Sequence, residues 1–208
     1  MNLEDQIAGG VAAMGIDLPE GAIARLAGHL VLVEKWNRVH NLTAVRSTDQ
    51  MVALHVLDSL SILSHLGHAA DIVDVGTGAG LPGIPLAIAR PAMHVTLLDS
   101  SHKKCAFLQQ AKTELGLANV EVVCDRVESW KPAKQFDVAV SRAFSDLADF
   151  VEQARHLVAA GGRLIAMKGV HPFDEIARVP STHRVSQVLE LTVPGLEAHR
   201  HAVFLEAA

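Results

Sequence analysis

The residues with the clearest chemical content run Asp74-Val75-Gly76-Thr77-Gly78-Ala79-Gly80-Leu81-Pro82-Gly83, directly after the apolar run Ala70-Asp71-Ile72-Val73. An acidic strand end that turns through alternate glycines into a helix leaves bare backbone N–H groups facing an open crevice, because glycine has no Cβ to fill it. Such a crevice suits a nucleotide-like cofactor. A second apolar run, Val95-Thr96-Leu97-Leu98, ends at Asp99, 23 positions after Gly76. In a doubly wound sheet that strand end faces the glycine loop, so the Asp99 carboxylate can accept both hydroxyls of a ribose.

Two cofactors fit this arrangement, a dinucleotide or S-adenosylmethionine. Gly78-x-Gly80-x-x-Gly83 matches the dinucleotide fingerprint, but three features favour the sulfonium compound. Asp74 precedes the loop, where a carboxylate can lie near a cationic ligand. Pro82 and Pro85 shape a short, irregular helix start. A dehydrogenase usually opens with this strand, whereas here about seventy residues of helical pattern come first.

The elements that must position these residues follow from periodicity. Strands are predicted near 71–75, 94–99, 120–124, 136–140 and 162–167, with helices between them at 102–116 and 146–159. Strand alternating with helix implies a mostly parallel sheet in an α/β fold. After Lys168-Gly169 come a short helical piece and two apolar runs, near 184–192 and 200–205, joined by Val193-Pro194-Gly195. Strands joined by so short a turn pair antiparallel. The 208 residues, half of them apolar, suffice for a single domain. It divides into an N-terminal helical extension, 1–67, and a Rossmann-like core, 70–208.

Within the extension, Ile23, Leu26, Leu30, Val33 and Trp36 recur at the spacing of one buried helix face, which makes Trp36 a core residue. Lys35, Asn37, Arg38 and His40 form a small basic patch on its polar side. Ser47-Thr48-Asp49 caps a second helix, on which His55, Asp58 and Ser59 share a flank as a hydrogen-bonded set or a cofactor lid.

Cys105 and Cys124 have neither disulfide nor paired metal spacing and fit a reducing, cytoplasmic setting. His55, His65 and His68 lack the cysteine or glutamate partners of zinc motifs, so no metal is expected. With no leader pattern and no membrane-length apolar run, no membrane is expected either.

In Lys35-Trp36-Asn37 with Asn41-Leu42-Thr43, His55-x-x-Asp58-Ser59-Leu60, Asp74 to Pro85, Leu97-Leu98-Asp99-Ser100, Ser141-Arg142-Ala143-Phe144 and Met167-Lys168-Gly169, the chain resembles the bacterial 16S ribosomal RNA guanine-N7 methyltransferases, also called glucose-inhibited division protein B. The resemblance spans almost the whole chain. It implies a class I S-adenosylmethionine-dependent methyltransferase fold, with cofactor contacts at Gly76, Leu81, Val127, Glu128 and Arg142. The chain departs at its end, reading Glu206-Ala207-Ala208 where members often carry lysines.

Guanine N7 has a free lone pair at neutral pH, so the implied reaction needs neither a general base nor a thiol. Catalysis then rests on holding sulfonium, methyl and N7 in line. Arg142 and Lys168 end the fourth and fifth strands at the ligand edge and are the expected positioning residues. Cofactor binding is expected from Asp74, Gly76, Gly78, Gly80, Leu81, Asp99, Val127, Glu128 and Arg142. Substrate contacts are expected from Lys35, Arg38, Lys168 and Arg200, with Phe144 stacking on a splayed-out base or packing in the core. With a net charge of −5, RNA binding requires the cations, including Arg46 and His102-Lys103-Lys104, to gather on one face. Two other readings remain, an S-adenosylmethionine-binding regulatory protein linked to cell division and a small-molecule methyltransferase.

Overall fold

The run at 71–75 forms β1 (Asp71–Val75), the centre of the molecule, and it is apolar on both faces because helices cover both. Around it lie β2 (His94–Asp99), β3 (Val120–Cys124), β4 (Phe136–Ser141), β5 (Val158–Lys168), β6 (His183–Glu190) and β7 (His201–Ala207). The structure, a computed structural model, describes residues 2–208. The strand order is β3-β2-β1-β4-β5-β7-β6. Strands β1 to β5 are parallel, and β7 runs antiparallel between β5 and β6. The chain thus leaves β1 in one direction, returns to its other side at β4, and opens a crevice between their carboxyl ends.

The helices are α1 (Leu3–Ala13), α2 (Ala22–His40), α3 (Thr48–Met51), α4 (Asp58–Leu60), α5 (Gly83–Ala89), α6 (His102–Glu114), α7 (Leu147–Ala154) and α8 (Phe173–Ile176). Ile7, Leu26, Leu30, Met51 and Leu60 from the extension share one apolar core with Ile72, Leu97 and Val140 of the sheet. Trp36 sits at its margin, edge-on to Phe107 at 5.6 Å, with its Nε1–H donating to Gln110. The second core, on the other face of the sheet, contains Phe150, Val151 and Leu157.

Three elements differ from their sequence pattern. The helix expected over 146–159 ends at Ala154, and a 3-10 turn, Arg155–Leu157, leads into β5 at Val158. Ala159-Ala160-Gly161-Gly162 carries no strand signal; it forms a bulge in β5, between the pairs Phe136 with Val158 and Val138 with Arg163, and Gly161 takes a left-handed φ of 81° there. Between α3 and α4 the helix widens into a π turn, Val52–Leu57. Ordinary apolar spacing does not reveal such a turn, a feature frequent at functional sites.

Three buried polar side chains hold this framework, two of them linking the extension or the sheet to the glycine loop. His29 of α2 donates from Nε2 to the Ala79 carbonyl at 2.8 Å, fixing the glycine loop to the extension. His55, in the π turn, meets Thr43 Oγ1 through Nε2 at 3.0 Å. Burial is the main reason both imidazoles are pushed down from 6.5 to about 4. Asp74 lies under the glycine loop, where burial pushes its carboxyl up to about 6 from 3.8.

These shifts set a pH dependence. Between about 4 and 6.5 the unfolded chain binds protons that folded His29 and His55 refuse, so the stability they contribute is complete above 6.5 and declines as pH falls. Asp74 acts oppositely, since its folded form holds a proton more tightly between 3.8 and about 6. Two histidines outweigh one carboxyl. Thermal melts should therefore show a net loss of about 2 kcal/mol between about pH 7.5 and pH 5, and His29→Gln should flatten that slope. A melting point that rises over the same interval would contradict this assignment.

Candidate active site: two hollows on one sheet edge

The glycine loop keeps its shape through groups beneath it. Asp74 Oδ2 accepts from Thr77 Oγ1 at 2.6 Å and from the Gly83 N–H at 2.7 Å, so one carboxylate oxygen holds both ends of the loop. Gly76, Gly78 and Gly80 all have positive φ, at 69°, 59° and 80°. A Cβ on Gly76 would stand 2.7 Å from that of Ala143, whereas one on Gly78 would meet only the Gly76 carbonyl oxygen, at 3.9 Å. The loop is therefore tight at Gly76 and open above Gly78.

At Gly76 the loop borders a hollow of about 460 Å³ lined also by Asp99, Lys104, Val127, Glu128 and Phe144, among others. Asp99 ends β2 at its floor, buried, and its two oxygens accept from the Gly78 and Ser101 N–H groups at 2.9 and 3.0 Å. Lys104 Nζ stands 3.6 Å from the same carboxylate. An adenosyl compound fits this donor set: bare loop backbone beside a buried carboxylate that retains lone pairs for hydroxyl donors.

A second hollow, of about 360 Å³, opens on the same sheet edge and is lined by His55, Asp58, Arg142, Lys168, Arg200 and His201, among others. Its organising group is Asp58, 4 % exposed, just after the π turn. Asp58 Oδ2 accepts from Arg142 Nη1 at 2.6 Å and Oδ1 from Arg200 Nε at 3.2 Å. Arg142 also donates to the Leu54 carbonyl, at 3.1 Å, within the π turn. One carboxylate therefore aims two guanidinium groups from strands far apart in sequence. The turn after β4 separates the hollows, with Arg142 facing the second while Ala143 and Phe144 line the first. Ser141 fixes that turn to β1 by donating from Oγ to the Val75 carbonyl at 2.7 Å.

The residues singled out from sequence are distributed unevenly. Gly76, Asp99, Val127 and Glu128 line the first hollow; Gly78 does not line it but is tied to Asp99 through its N–H, Asp74 lies beneath the loop, and Gly80 and Leu81 are buried within it. A Cβ on Gly80 would strike Ile84, so that glycine serves close helix packing. Arg142 belongs to the second hollow, and Phe144 belongs to the first, its ring 5.0 Å from Phe150. Lys168 is partly committed: its Nζ contacts Glu175 at 2.6 Å and donates to the Phe144 carbonyl at 3.0 Å. Lys35 and Arg38 line neither hollow, and Arg38 is paired with Glu34. Asp58 and His29 are the functional positions that the sequence placed least well, because their partners lie 84, 142 and 50 positions away.

Neither cysteine is set up as a nucleophile. Burial, together with Cys124 nearby, pushes the Cys105 thiol up to about 12, and it donates to the Asp99 carbonyl. Among the described residues, no group of three or more His, Cys, Asp or Glu side chains is placed to hold a metal ion. Nor is any helix long and apolar enough to cross a membrane.

A family model described as rRNA small subunit methyltransferase G matches residues 22–203. The chain belongs to this family. The ribosomal RNA small subunit methyltransferase G of Nitrosospira multiformis is 55 % identical over 215 residues, covering 100 % of this chain and 99 % of that protein. The protein of the same name from Laribacter hongkongensis is 53 % identical, covering 99 % of each. Among solved structures, the O-methyltransferase TomG of Streptomyces achromogenes, in complex with S-adenosylmethionine, superposes with a TM-score of 0.61 over 100 % of this chain and 99 % of that one. An S-adenosylmethionine-dependent methyltransferase of Aquifex aeolicus gives 0.56 over 73 % and 91 %. At 17 % and 19 % identity these two speak for the fold, the Rossmann-like class I architecture that the sheet order displays.

Two substitutions test the geometry of this family member. Gly78→Val would put a branched side chain into the open space at a left-handed φ. It should weaken S-adenosylhomocysteine binding at least about 100-fold in calorimetry, while costing only about 1–2 kcal/mol of fold stability; unchanged affinity would mean that the ligand lies elsewhere. Asp58→Ala would leave two half-buried guanidinium groups facing each other without their shared counter-charge. A loss of about 3 kcal/mol or more in denaturant melts is expected, and a wild-type midpoint would refute the clamp.

Proposed function

We propose that the protein transfers the methyl group of S-adenosylmethionine to N7 of a guanine in 16S ribosomal RNA. The observation that carries this reading is the thin wall between the hollows. The turn Arg142-Ala143-Phe144 bounds a nucleoside-sized site on one side and a guanidinium-lined site on the other. A methyl donor in the first and a base in the second would meet across it.

In the first hollow, Asp99 takes the ribose hydroxyls, Val127 and Glu128 flank the adenine, and the backbone at Gly76 and Gly78 follows the rest of the cofactor. When bound, the cofactor supplies an electrophilic methyl on a sulfonium. Asp74 from below, and Gly80 and Leu81 from within, keep the loop rigid. In the second hollow, Arg142 and Arg200 offer N–H donors to the guanine O6, leaving N7 free for the methyl. Guanine recognition through an O6 and N7 fork would block the reacting atom, so the donors must favour O6 alone. Phe144 closes the cofactor side, and Lys168 positions it through its bond to the Phe144 carbonyl.

Methylation leaves the purine cationic. Two unscreened guanidinium groups would oppose that charge, and the Asp58 carboxylate offsets one of them. No base has to remove a proton, in keeping with the committed hydrogen bonds of His55 and Lys168. Alignment alone can supply about 7–11 kcal/mol of barrier reduction. The chain works as one methyltransferase domain in the cytoplasm, where the small ribosomal subunit is found.

Tritiated S-adenosylmethionine and unmodified 16S ribosomal RNA test the reading. Label recovered as N7-methylguanosine after nuclease digestion is the expected result. Absence of label, or label on another atom, would refute it.

A further inference from the structure

The described surface exposes four large apolar side chains, and two of them, Val170 and Phe173, directly follow Lys168 and Gly169 in the wall of the second hollow. Phe173 is 73 % exposed. Its ring stacks on His171 with centroids 3.8 Å and planes 28° apart. His171 meets His201 nearly edge-on at 5.4 Å, and His201, almost fully buried, lines the hollow. Three rings therefore step outward from the hollow into solvent.

The segment that displays Phe173 is anchored on both sides. His201 donates from Nδ1 to the Gly169 carbonyl at 2.9 Å. Beyond the ring, Glu175 pairs with Lys168 at 2.6 Å and accepts from the Leu147 N–H at 3.0 Å. Pro172, between the two rings, is itself buried. A ring already held in place loses little freedom when something stacks on it.

The chemistry of the spot narrows its occupant. Asp174 beside Phe173 is exposed, and Glu175 is matched by Lys168, so the ring face rather than a charge provides the attraction. The nearby guanidinium groups of Arg142 and Arg200 suit a polyanionic chain passing the hollow. A stable protein partner would cover roughly 800 Å² on this side, and two apolar side chains bordered by an acid do not offer it. An unpaired nucleobase needs only one aromatic face. We infer that Phe173, backed by His171, is a stacking platform for an unpaired RNA base adjoining the one held in the second hollow. This deepens the RNA reading of that hollow and gives the enzyme a grip on the sequence beside its target.

The test uses the full-length protein and a single-stranded RNA oligonucleotide containing 2-aminopurine, whose fluorescence is quenched by stacking. Wild-type protein should quench it, and Phe173→Ala should weaken binding roughly ten-fold and remove most of the quench. Phe173→Trp should restore both, while Phe173→Leu, apolar but without a ring face, should not. Binding of S-adenosylhomocysteine in the first hollow should be unchanged in every variant, which reports an intact fold. Quenching and affinity that survive Phe173→Ala overturn the platform, whatever the enzyme's activity. Wild-type behaviour of Phe173→Leu overturns it too, because simple apolar contact would then suffice. An unaltered oligonucleotide affinity with a raised KM only for assembled ribosomal subunits would indicate a protein contact and also overturn it. If the quench behaves as expected but wild type methylates no RNA, the platform stands and the methyl-transfer reading falls.

Discussion

A single buried carboxylate oxygen gives the site its shape. Asp74 Oδ2 accepts from Thr77 at one end of the glycine loop and from Gly83 at the other. Because burial makes a lone carboxylate costly, the loop closes around it in the one conformation that supplies both donors. The hydrogen bond from His29 to Ala79 holds the middle of the same loop from the extension. A loop rich in glycine has the most freedom to lose on folding, and these three contacts remove it without placing a side chain in the ligand space.

Asp58 solves the corresponding problem for the second hollow. Guanidinium groups from the ends of β4 and of the chain before β7 would repel each other across a narrow opening. The carboxylate between them turns that repulsion into a fixed fork, with Leu54 of the π turn as a third point. The π turn thus has a structural task, presenting Asp58 and the Leu54 carbonyl to the same arginine. Both hollows follow one design, in which a buried acid on one element orders donors from others.

Much of this was legible beforehand, and the reasons are local. The first four parallel strands were placed nearly to the residue because each is a short apolar run, and the glycine loop announced itself through residue type. The antiparallel end followed from the short turn at Val193-Pro194-Gly195. The amino-terminal part of β5 was not legible, since Ala159-Ala160-Gly161-Gly162 is a bulge held only by the β4 pairs of Val158 before it and Arg163 after it. Asp74 was noticed for the right position and given the wrong surroundings: it lies wholly under the loop. Lys35 and Arg38, expected as substrate contacts because they were basic, line neither hollow.

The sequence by itself determined the α/β order, the acidic residues Asp74 near the end of β1 and Asp99 at the end of β2, and the glycines that keep the first hollow open. These are properties of short stretches, governed by backbone freedom and apolar periodicity. Only the tertiary structure decided which charges face each other. The Asp58 fork joins positions 58, 142 and 200, and the ring series joins 171, 173 and 201. Such contacts depend on how β4, β5 and β7 lie side by side, and residue spacing along the chain carries no record of that adjacency.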